Sequence, residues 1–234
     1  MAAEGGRRER LLQLGAGAFF LAAVAVAVLI VLSSSGGGSG GDTKLEGRAD
    51  VNRLLAGIPQ HGMVLGQPRA PVELIEFGDL QCPACRGYSE EILPPLIENR
   101  VRKGEVKIGF RNFTIIDAQS TPAGAAALAA GEQGRGWSYI ELFYRNQGEE
   151  HSGYADDAFL EAIARGAGVR NLARWRSERR ELVAEVERTT AEARSLGFTG
   201  TPSFAIRGPS GGEVEALGTP ESTGALEAAI ETAR

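Results

Sequence analysis

Hydrophobic and polar positions divide the chain into one long apolar stretch and a larger region with periodic patterns. Residues 11–32 contain no charged side chain, and Gln13 is the only strongly polar one. A helix over this range would span about 33 Å, which is enough for the hydrocarbon core of a bilayer. The pattern therefore predicts one N-terminal transmembrane helix at 11–32.

The charges beside this stretch predict its orientation. Arg7, Arg8 and Arg10 precede it, and a glycine-serine stretch follows. The positive-inside rule then leaves residues 1–10 in the cytoplasm and exports the rest, as in a single-pass protein of the cell membrane with a signal anchor. A cleaved signal peptide is the alternative, although its apolar region usually runs only about 7–15 residues. Both interpretations place the main domain outside the cytoplasm, where disulfides persist.

The next region, 33–59, is predicted to be a flexible linker that ends in a short helix. Beyond it, strand patterns occur at 63–65, 72–77, 105–113, 203–207 and 213–217. Helical patterns occur at 86–103, 122–133, 137–144, 158–167, 172–196 and 222–233. Pro94 and Pro95 should kink or divide the first of these helices, and 172–196 should be the longest.

The order of these elements predicts the fold class. The first strand–helix–strand unit should be parallel, because a helix returns the chain across the sheet. The last two strands should form an antiparallel hairpin, which the final helix covers. We therefore predict an α/β, thioredoxin-like fold over 60–234, with a helical insertion at about 118–197.

Charge and motifs exclude several classes of function. The net charge is −5, and the only basic cluster, at 176–180, lies on a predicted helix. This argues against nucleic-acid binding. The chain also lacks a phosphate-binding loop and a dinucleotide fingerprint, so we predict no cofactor.

The two cysteines are the strongest chemical signal. Cys82 and Cys85 form a Cys-Pro-Ala-Cys motif directly after the predicted strand at 72–77, with Pro83 where a helix would begin. Residues three apart in a first helical turn share one face, so the two sulfurs can meet. The unpaired N–H groups and the dipole of the helix stabilise a thiolate at the first cysteine. The motif therefore indicates thiol–disulfide exchange.

Two structural roles for the cysteines compete with this interpretation. A purely structural disulfide in so short a loop would add only about 2 kcal/mol. A zinc half-site would need two more ligands, and His61 and His151 lie far apart without paired spacing. We predict no metal.

Four segments resemble the DsbA-like thioredoxin-fold oxidoreductases. They are LGQPRAPV at 65–72, EFGDLQCPAC at 76–85, RNF at 111–113 and GTPSF at 200–204. The resemblance covers residues 60–234 and implies disulfide exchange with reduced, exported protein substrates. It also implies reoxidation by a membrane redox partner of the DsbB or VKOR type.

The same resemblance implies roles for five residues. Cys82 corresponds to the exposed nucleophile and Cys85 to the buried resolving thiol. Pro202 corresponds to a cis-proline against the disulfide, and the backbone of Thr201 before it is left to pair with substrate. Glu76 corresponds to a buried acid that assists proton movement to the resolving cysteine. A solvent-facing glutamate at the end of a strand is the alternative for Glu76.

The motif departs from the family at one position. The strongest oxidants of the family carry histidine where this chain has Ala84, which supplies no charge and no hydrogen bond. We therefore expect a pKa for Cys82 below 8.5 but above the value of about 3.5 typical of a strong oxidant. Asp79, in the turn before the motif, is expected to cap that turn.

These observations predict a membrane-tethered oxidoreductase that introduces disulfides into secreted or cell-envelope proteins. A reductase for exported thiols, for example in cytochrome maturation, is the alternative within the same chemistry. A binding or chaperone module whose cysteines take no part in a reaction is the alternative from another class.

Overall fold

The computed structural model describes residues 45–209 and 211–234. The predicted cytoplasmic segment at 1–10, the predicted transmembrane segment at 11–32 and residues 33–44 of the predicted linker lie outside these ranges. Within them, no helix combines the length and hydropathy needed to cross a membrane.

The described part of the chain contains one mixed sheet. Its strands are β1 Gln60–His61, β2 Val64–Leu65, β3 Val72–Gly78, β4 Val106–Asn112, β5 Ser203–Arg207 and β6 Glu215–Gly218. They lie in the order β1-β2-β4-β3-β5-β6, with β3 and β4 parallel and every other neighbouring pair antiparallel. The parallel central pair and the antiparallel β5–β6 pair confirm the predicted topology.

The helices fall into three groups. Before and around the first strands lie α1 Arg48–Leu55, α2 Pro83–Gly87 and α3 Leu93–Leu96. The insertion contains α4 Ser120–Gly131, α5 Gly136–Arg145, α6 Asp157–Gly166, α7 Leu172–Glu181 and α8 Val183–Ser195. The last helix is α9 Thr223–Thr232. These bounds confirm the helical insertion between the second and third core strands.

The prolines at 94 and 95 divide the helix after the cysteine motif, as predicted. Both lie in α3, and wider π-helical segments flank it at Tyr88–Ile92 and Ile97–Val101. Since proline has no N–H, it leaves the carbonyl of an earlier turn without its helical donor. A wider turn restores the hydrogen bonding of the neighbouring residues.

One helix prediction was wrong. The range 172–196 forms two helices, α7 and α8, which meet at Leu182. No glycine or proline lies between them. The break follows from packing, since α7 contacts α4 and α6, whereas α8 contacts α4 and β4. The chain changes course at Leu182 to return from the insertion to the sheet.

Two hydrophobic clusters cover the two faces of the sheet. Val72 and Leu74 of β3 belong to the main cluster, together with Cys82 and Cys85. Phe77 belongs to the smaller cluster on the other face, with Phe198. Because successive residues of a strand point to opposite faces, β3 is buried on both sides. The residue after Leu74 on the same face is Glu76.

Candidate active site

The cysteine motif lies where β3 ends and α2 begins. Cys82 is the N-cap of α2 in extended conformation, and Pro83 is the first helical residue. The N–H of Cys82 donates to the carbonyl of Asp79 at 3.0 Å, and that of Arg86 donates to the Cys82 carbonyl at 3.1 Å. Pro83 and Ala84 are exposed. The turn therefore presents the middle of the motif to solvent.

Asp79 fixes this turn to the loop that follows β4. One carboxylate oxygen accepts from the N–H of Gln81 at 3.0 Å, which is the expected turn cap. The other accepts from the N–H groups of Ile115 and Ile116 at 2.8 and 3.0 Å. The second pair of hydrogen bonds was not predicted, because it depends on a contact distant in sequence.

The helical insertion also holds the turn. The amide of Gln147 donates to the carbonyls of Leu80 and Cys82 at 2.8 and 3.1 Å. The hydroxyl of Tyr144 donates to the carbonyl of Asp79 at 3.3 Å. Neither residue stands out in the sequence, since a glutamine or tyrosine at the end of a helix has no pattern of its own.

The segment before β5 lies against the first cysteine. The peptide bond between Thr201 and Pro202 is cis. The Cys82 thiol lies 3.4 Å from the Thr201 carbonyl oxygen, to which it can donate. The hydroxyl of Thr219 donates to the carbonyl of Pro202 at 2.7 Å. The fold thus brings together two segments that are about 120 positions apart in the chain.

The burial of Cys82 differs from the expectation. The resemblance implied an exposed nucleophile, but Cys82 is only 5% exposed, and Cys85 is fully buried. The backbone of Thr201 covers the sulfur of Cys82, and Gln147 reaches its carbonyl from the insertion. Of the two cysteines, Cys82 is therefore the one that retains contact with solvent.

The surroundings of Cys82 favour its thiolate. Its pKa is lowered to about 6, chiefly because the Cys85 thiol can donate to the thiolate. Hydrogen bonds from the Thr201 side chain and from the N–H groups of Cys85 and Ala84 also lower the pKa of Cys82, whereas burial raises it. At neutral pH the reduced protein therefore holds Cys82 mainly as thiolate.

The second cysteine behaves in the opposite way. Burial raises the pKa of Cys85 well above its usual value, and the negative charges of Cys82 and Glu76 add to that effect. Cys85 therefore stays a thiol at neutral pH. One cysteine is ready to react, and the other holds a proton that must be moved when the disulfide forms or breaks.

Glu76 is buried beneath the cysteines, with an exposed fraction of 1%. This burial excludes the solvent-facing alternative. Desolvation raises its pKa to about 8, and the charges of Glu141 and Cys82 contribute. One of its carboxyl oxygens, Oε1, has no hydrogen-bond partner among the described residues. Near neutrality Glu76 is therefore a protonated acid.

Sequence reasoning missed a second buried acid, Glu141 of α5. It is fully buried, and its Oε2 accepts from the Arg145 guanidinium at 2.7 Å. Desolvation raises the pKa of Glu141, and Arg145 opposes the change. A glutamate four residues before an arginine is an ordinary surface pattern on a helix, so the sequence alone did not distinguish this pair.

The arrangement defines a thiol–disulfide oxidoreductase of the thioredoxin fold. A stabilised thiolate at a helix N-terminus lies beside a buried thiol and a buried acid. Within the described ranges no three His, Cys, Asp or Glu side chains are grouped to hold a metal ion.

Comparisons with known proteins give the family. The thioredoxin family model matches residues 59–231. The probable disulfide bond formation protein D of Bacillus cereus is 29% identical over 149 residues, which is 62% of this chain and 69% of that protein. The chain therefore belongs to the thioredoxin family, and it is a DsbA-like thiol–disulfide oxidoreductase.

Solved structures agree on the fold. Oxidised BdbD from Bacillus subtilis matches with a TM-score of 0.65 at 19% identity, over 75% of this chain and 96% of that one. A thioredoxin-like oxidoreductase from Silicibacter pomeroyi matches with a TM-score of 0.59 at 27% identity, over 78% and 96% of the two chains. The predicted thioredoxin-like fold with a helical insertion is confirmed.

Proposed function

We propose that this protein is an exported, membrane-tethered oxidoreductase that introduces disulfides into secreted or cell-envelope proteins. The supporting observation is the contrast between the two cysteines of the Cys-Pro-Ala-Cys motif. Cys82 has a pKa of about 6 and keeps a small exposed fraction of 5%, whereas Cys85 is fully buried with a raised pKa.

The first step is attack on the oxidised motif. A substrate thiolate attacks the sulfur of Cys82, which breaks the Cys82–Cys85 bond and forms a mixed disulfide. The electron pair leaves on Cys85, whose raised pKa favours its protonation. Glu76 holds a proton near neutrality and lies beside the motif, so it supplies that proton directly or through water.

The second step releases the product. A second thiolate of the substrate attacks the substrate sulfur of the mixed disulfide and expels Cys82 as a thiolate. A thiolate with a low pKa is a good leaving group, so this step is favoured. Two substrate thiols have then lost two electrons to the cysteine pair. The cis Thr201–Pro202 segment, which faces Cys82, offers its backbone to the bound substrate.

The pKa of Cys82 also favours oxidation over reduction as the main activity. A stabilised thiolate stabilises the reduced enzyme, which makes its disulfide more oxidising. The first cysteine has a pKa of about 7 in thioredoxin, a reductant, and about 3.5 in DsbA, an oxidant. The lowered pKa of Cys82 is therefore in the direction that makes the disulfide of this protein more oxidising.

The membrane tether and the partners rest on the sequence and the family. The uncharged stretch at 11–32 supports a signal anchor with the catalytic domain outside the cytoplasm. The proposed substrates are reduced, exported proteins. A membrane redox partner of the DsbB or VKOR type would accept the two electrons that the cysteine pair collects.

Oxidative refolding of a reduced, unfolded substrate tests the proposal. The wild-type protein should restore substrate disulfides, and Cys82→Ser should abolish that activity. Cys85→Ser, mixed instead with a substrate that carries a disulfide, should trap a mixed disulfide, since the Cys82 thiolate attacks that disulfide and no Cys85 thiol remains to resolve it. Unchanged refolding by Cys82→Ser would contradict the proposal and favour a binding or chaperone module.

The reduction potential separates an oxidant from a reductase. The reduction potential is about −270 mV in thioredoxin and about −120 mV in DsbA. A potential closer to the DsbA value supports an enzyme that oxidises its substrates. A value at or below about −270 mV would instead favour the reductase. Equilibration with a thiol buffer of known potential, followed by trapping of free thiols, gives this number.

A further inference from the structure

A polar cleft lies between α1 and the helical insertion, separate from the cysteine site. Its volume is about 640 Å³, and residues of α1, the loop before β1, and the loops before α5 and α7 line it. The side chains that matter here are Asn52, Gln60, Gln133, Arg135, Arg170 and Arg174. The redox reaction uses none of them.

The cleft is positively charged in an acidic protein. Three arginines line it and no aspartate or glutamate does, although the net charge of the chain is −5. Arg174 pairs with Glu178 at 2.6 Å. Arg135 and Arg170 form no ion pair with any carboxylate in the described ranges, so their two charges lack a counterion there. A concave site lined by one sign of charge concentrates ions of the opposite sign.

The backbone strengthens this field. Arg135 is the N-cap of α5, which has no side-chain cap, and α7 begins two residues after Arg170. Both helices therefore direct the positive ends of their dipoles to this region. Gly168, which lines the cleft, brings its backbone close to Arg135, since a Cβ there would be 3.6 Å from Nε of Arg135.

We propose that this cleft binds a phosphate-bearing anion, with Arg135 and Arg170 as its charged contacts. Guanidinium groups match the oxygens of a phosphate in pairs of hydrogen bonds. The volume exceeds that of a bare phosphate and lies in the range of small-molecule sites. The ligand class is therefore a phosphorylated organic molecule, either soluble or the headgroup of an anionic lipid.

Titration calorimetry of the full-length protein with pyrophosphate tests this site. We expect saturable binding that weakens with salt, and at least a ~10-fold loss of affinity in Arg135→Gln/Arg170→Gln. The matched control is Arg180→Gln/Arg194→Gln, which removes the same charge from exposed positions outside the cleft. The control should bind as the wild type does.

Two results would overturn the site: no saturable binding at low salt, or an equal loss in the control variant. If the double variant unfolds, the exposed Arg170→Gln alone replaces it. Sedimentation of the wild type and of Arg135→Gln/Arg170→Gln with vesicles that contain phosphatidylglycerol identifies the source, because the proposed anchor at 11–32 is the same in both. Weaker vesicle binding by the variant, without binding of glycerol 3-phosphate by the wild type, assigns a lipid headgroup. Equal vesicle binding by the two proteins, with binding of glycerol 3-phosphate by the wild type, assigns a soluble ligand. Because disulfide exchange is measured separately, a failure here leaves the proposed function unaffected.

Discussion

At the scale of single residues, the two cysteines differ because of where their sulfurs lie. Cys82 is at the start of a helix and close to several hydrogen-bond donors, whereas Cys85 is one turn further in and fully buried. Both have the same chemistry in an unfolded chain. Their separation in pKa is therefore a property of the folded turn.

Alkylation of the reduced protein at a series of pH values should show this separation. The rate at Cys82 should rise with a midpoint near pH 6, because only the thiolate reacts. Cys85 should remain unmodified up to pH 9 while the protein is folded. A midpoint near 8.5 for Cys82, the value of an unperturbed thiol, would contradict the stabilised thiolate.

Glu76→Gln should make the protein more stable and less active. The pKa of Glu76 is raised from 4.5 to about 8, so its unfolded state loses the proton at lower pH than its folded state. The unfolding free energy of the wild type therefore falls from about pH 4.5 to about pH 8, by roughly 3 kcal/mol at pH 7. The variant lacks this loss, so it should be more stable by roughly 2–3 kcal/mol at pH 7.

The same variant should slow disulfide exchange by about 100-fold, because the acid that protonates Cys85 is absent. Glu73→Gln is the matched control. Glu73 lies on the same strand but pairs with Arg207 at 2.9 Å, away from the cysteines. Urea unfolding and stopped-flow exchange measure the two effects. A less stable Glu76→Gln at pH 8 would show that Glu76 is ionised and paired in the folded protein.

At the scale of elements, α5 contributes charge as well as packing to the site. Glu141 and Arg145 form a buried ion pair on this helix, with side chains 0% and 15% exposed. Glu141 raises the pKa of Glu76 on β3. The insertion is thus electrostatically linked to the central strand of the sheet.

Arg145→Met should destabilise the protein by about 3–5 kcal/mol, because it leaves the fully buried Glu141 carboxylate without its partner. Glu141→Leu/Arg145→Met should recover much of that loss, since it removes both charges. A double-mutant cycle, measured by urea unfolding of the two single variants and the double variant, gives the coupling free energy between Glu141 and Arg145. Additive losses would show that the two groups are solvated independently.

The division of the predicted helix at 172–196 into two helices shows that sequence periodicity does not predict a break caused by tertiary packing. Hydrophobic periodicity predicted most helices and strands within a few residues, including β5 at its observed bounds. It predicted no break at Leu182, because each side chain there suits a helix. Only the need to pack against α4, α6 and β4 sets the break. The prolines of α3, by contrast, act locally and were predictable.

At the scale of the whole molecule, the redox potential combines these protonation states. Reduction of the disulfide takes up two protons where Cys82 is a thiol, but only one where it is a thiolate. The potential should therefore fall by about 59 mV per pH unit below pH 6 and by about 30 mV per unit above it. The change in slope should lie near the pKa of Cys82.

Thiol-buffer equilibria at pH 5 to 7.5 measure these slopes. Ala84→His provides a useful comparison, since an added positive charge beside the thiolate should move the change of slope to lower pH and raise the potential. A single slope of about 59 mV per unit over this whole interval would show that Cys82 stays protonated.

The sequence by itself determined most of the elements, their order and the chemistry of the motif. These follow from local causes: the period of hydrophobic residues, a proline at a helix start, and two cysteines three positions apart. Tertiary structure decided what depends on contacts between distant segments. It buried Cys82 beneath Thr201, placed Glu141 near Glu76, and gathered three arginines in one cleft. Burial and charge depend on neighbours in space, and the sequence pattern gives only neighbours along the chain.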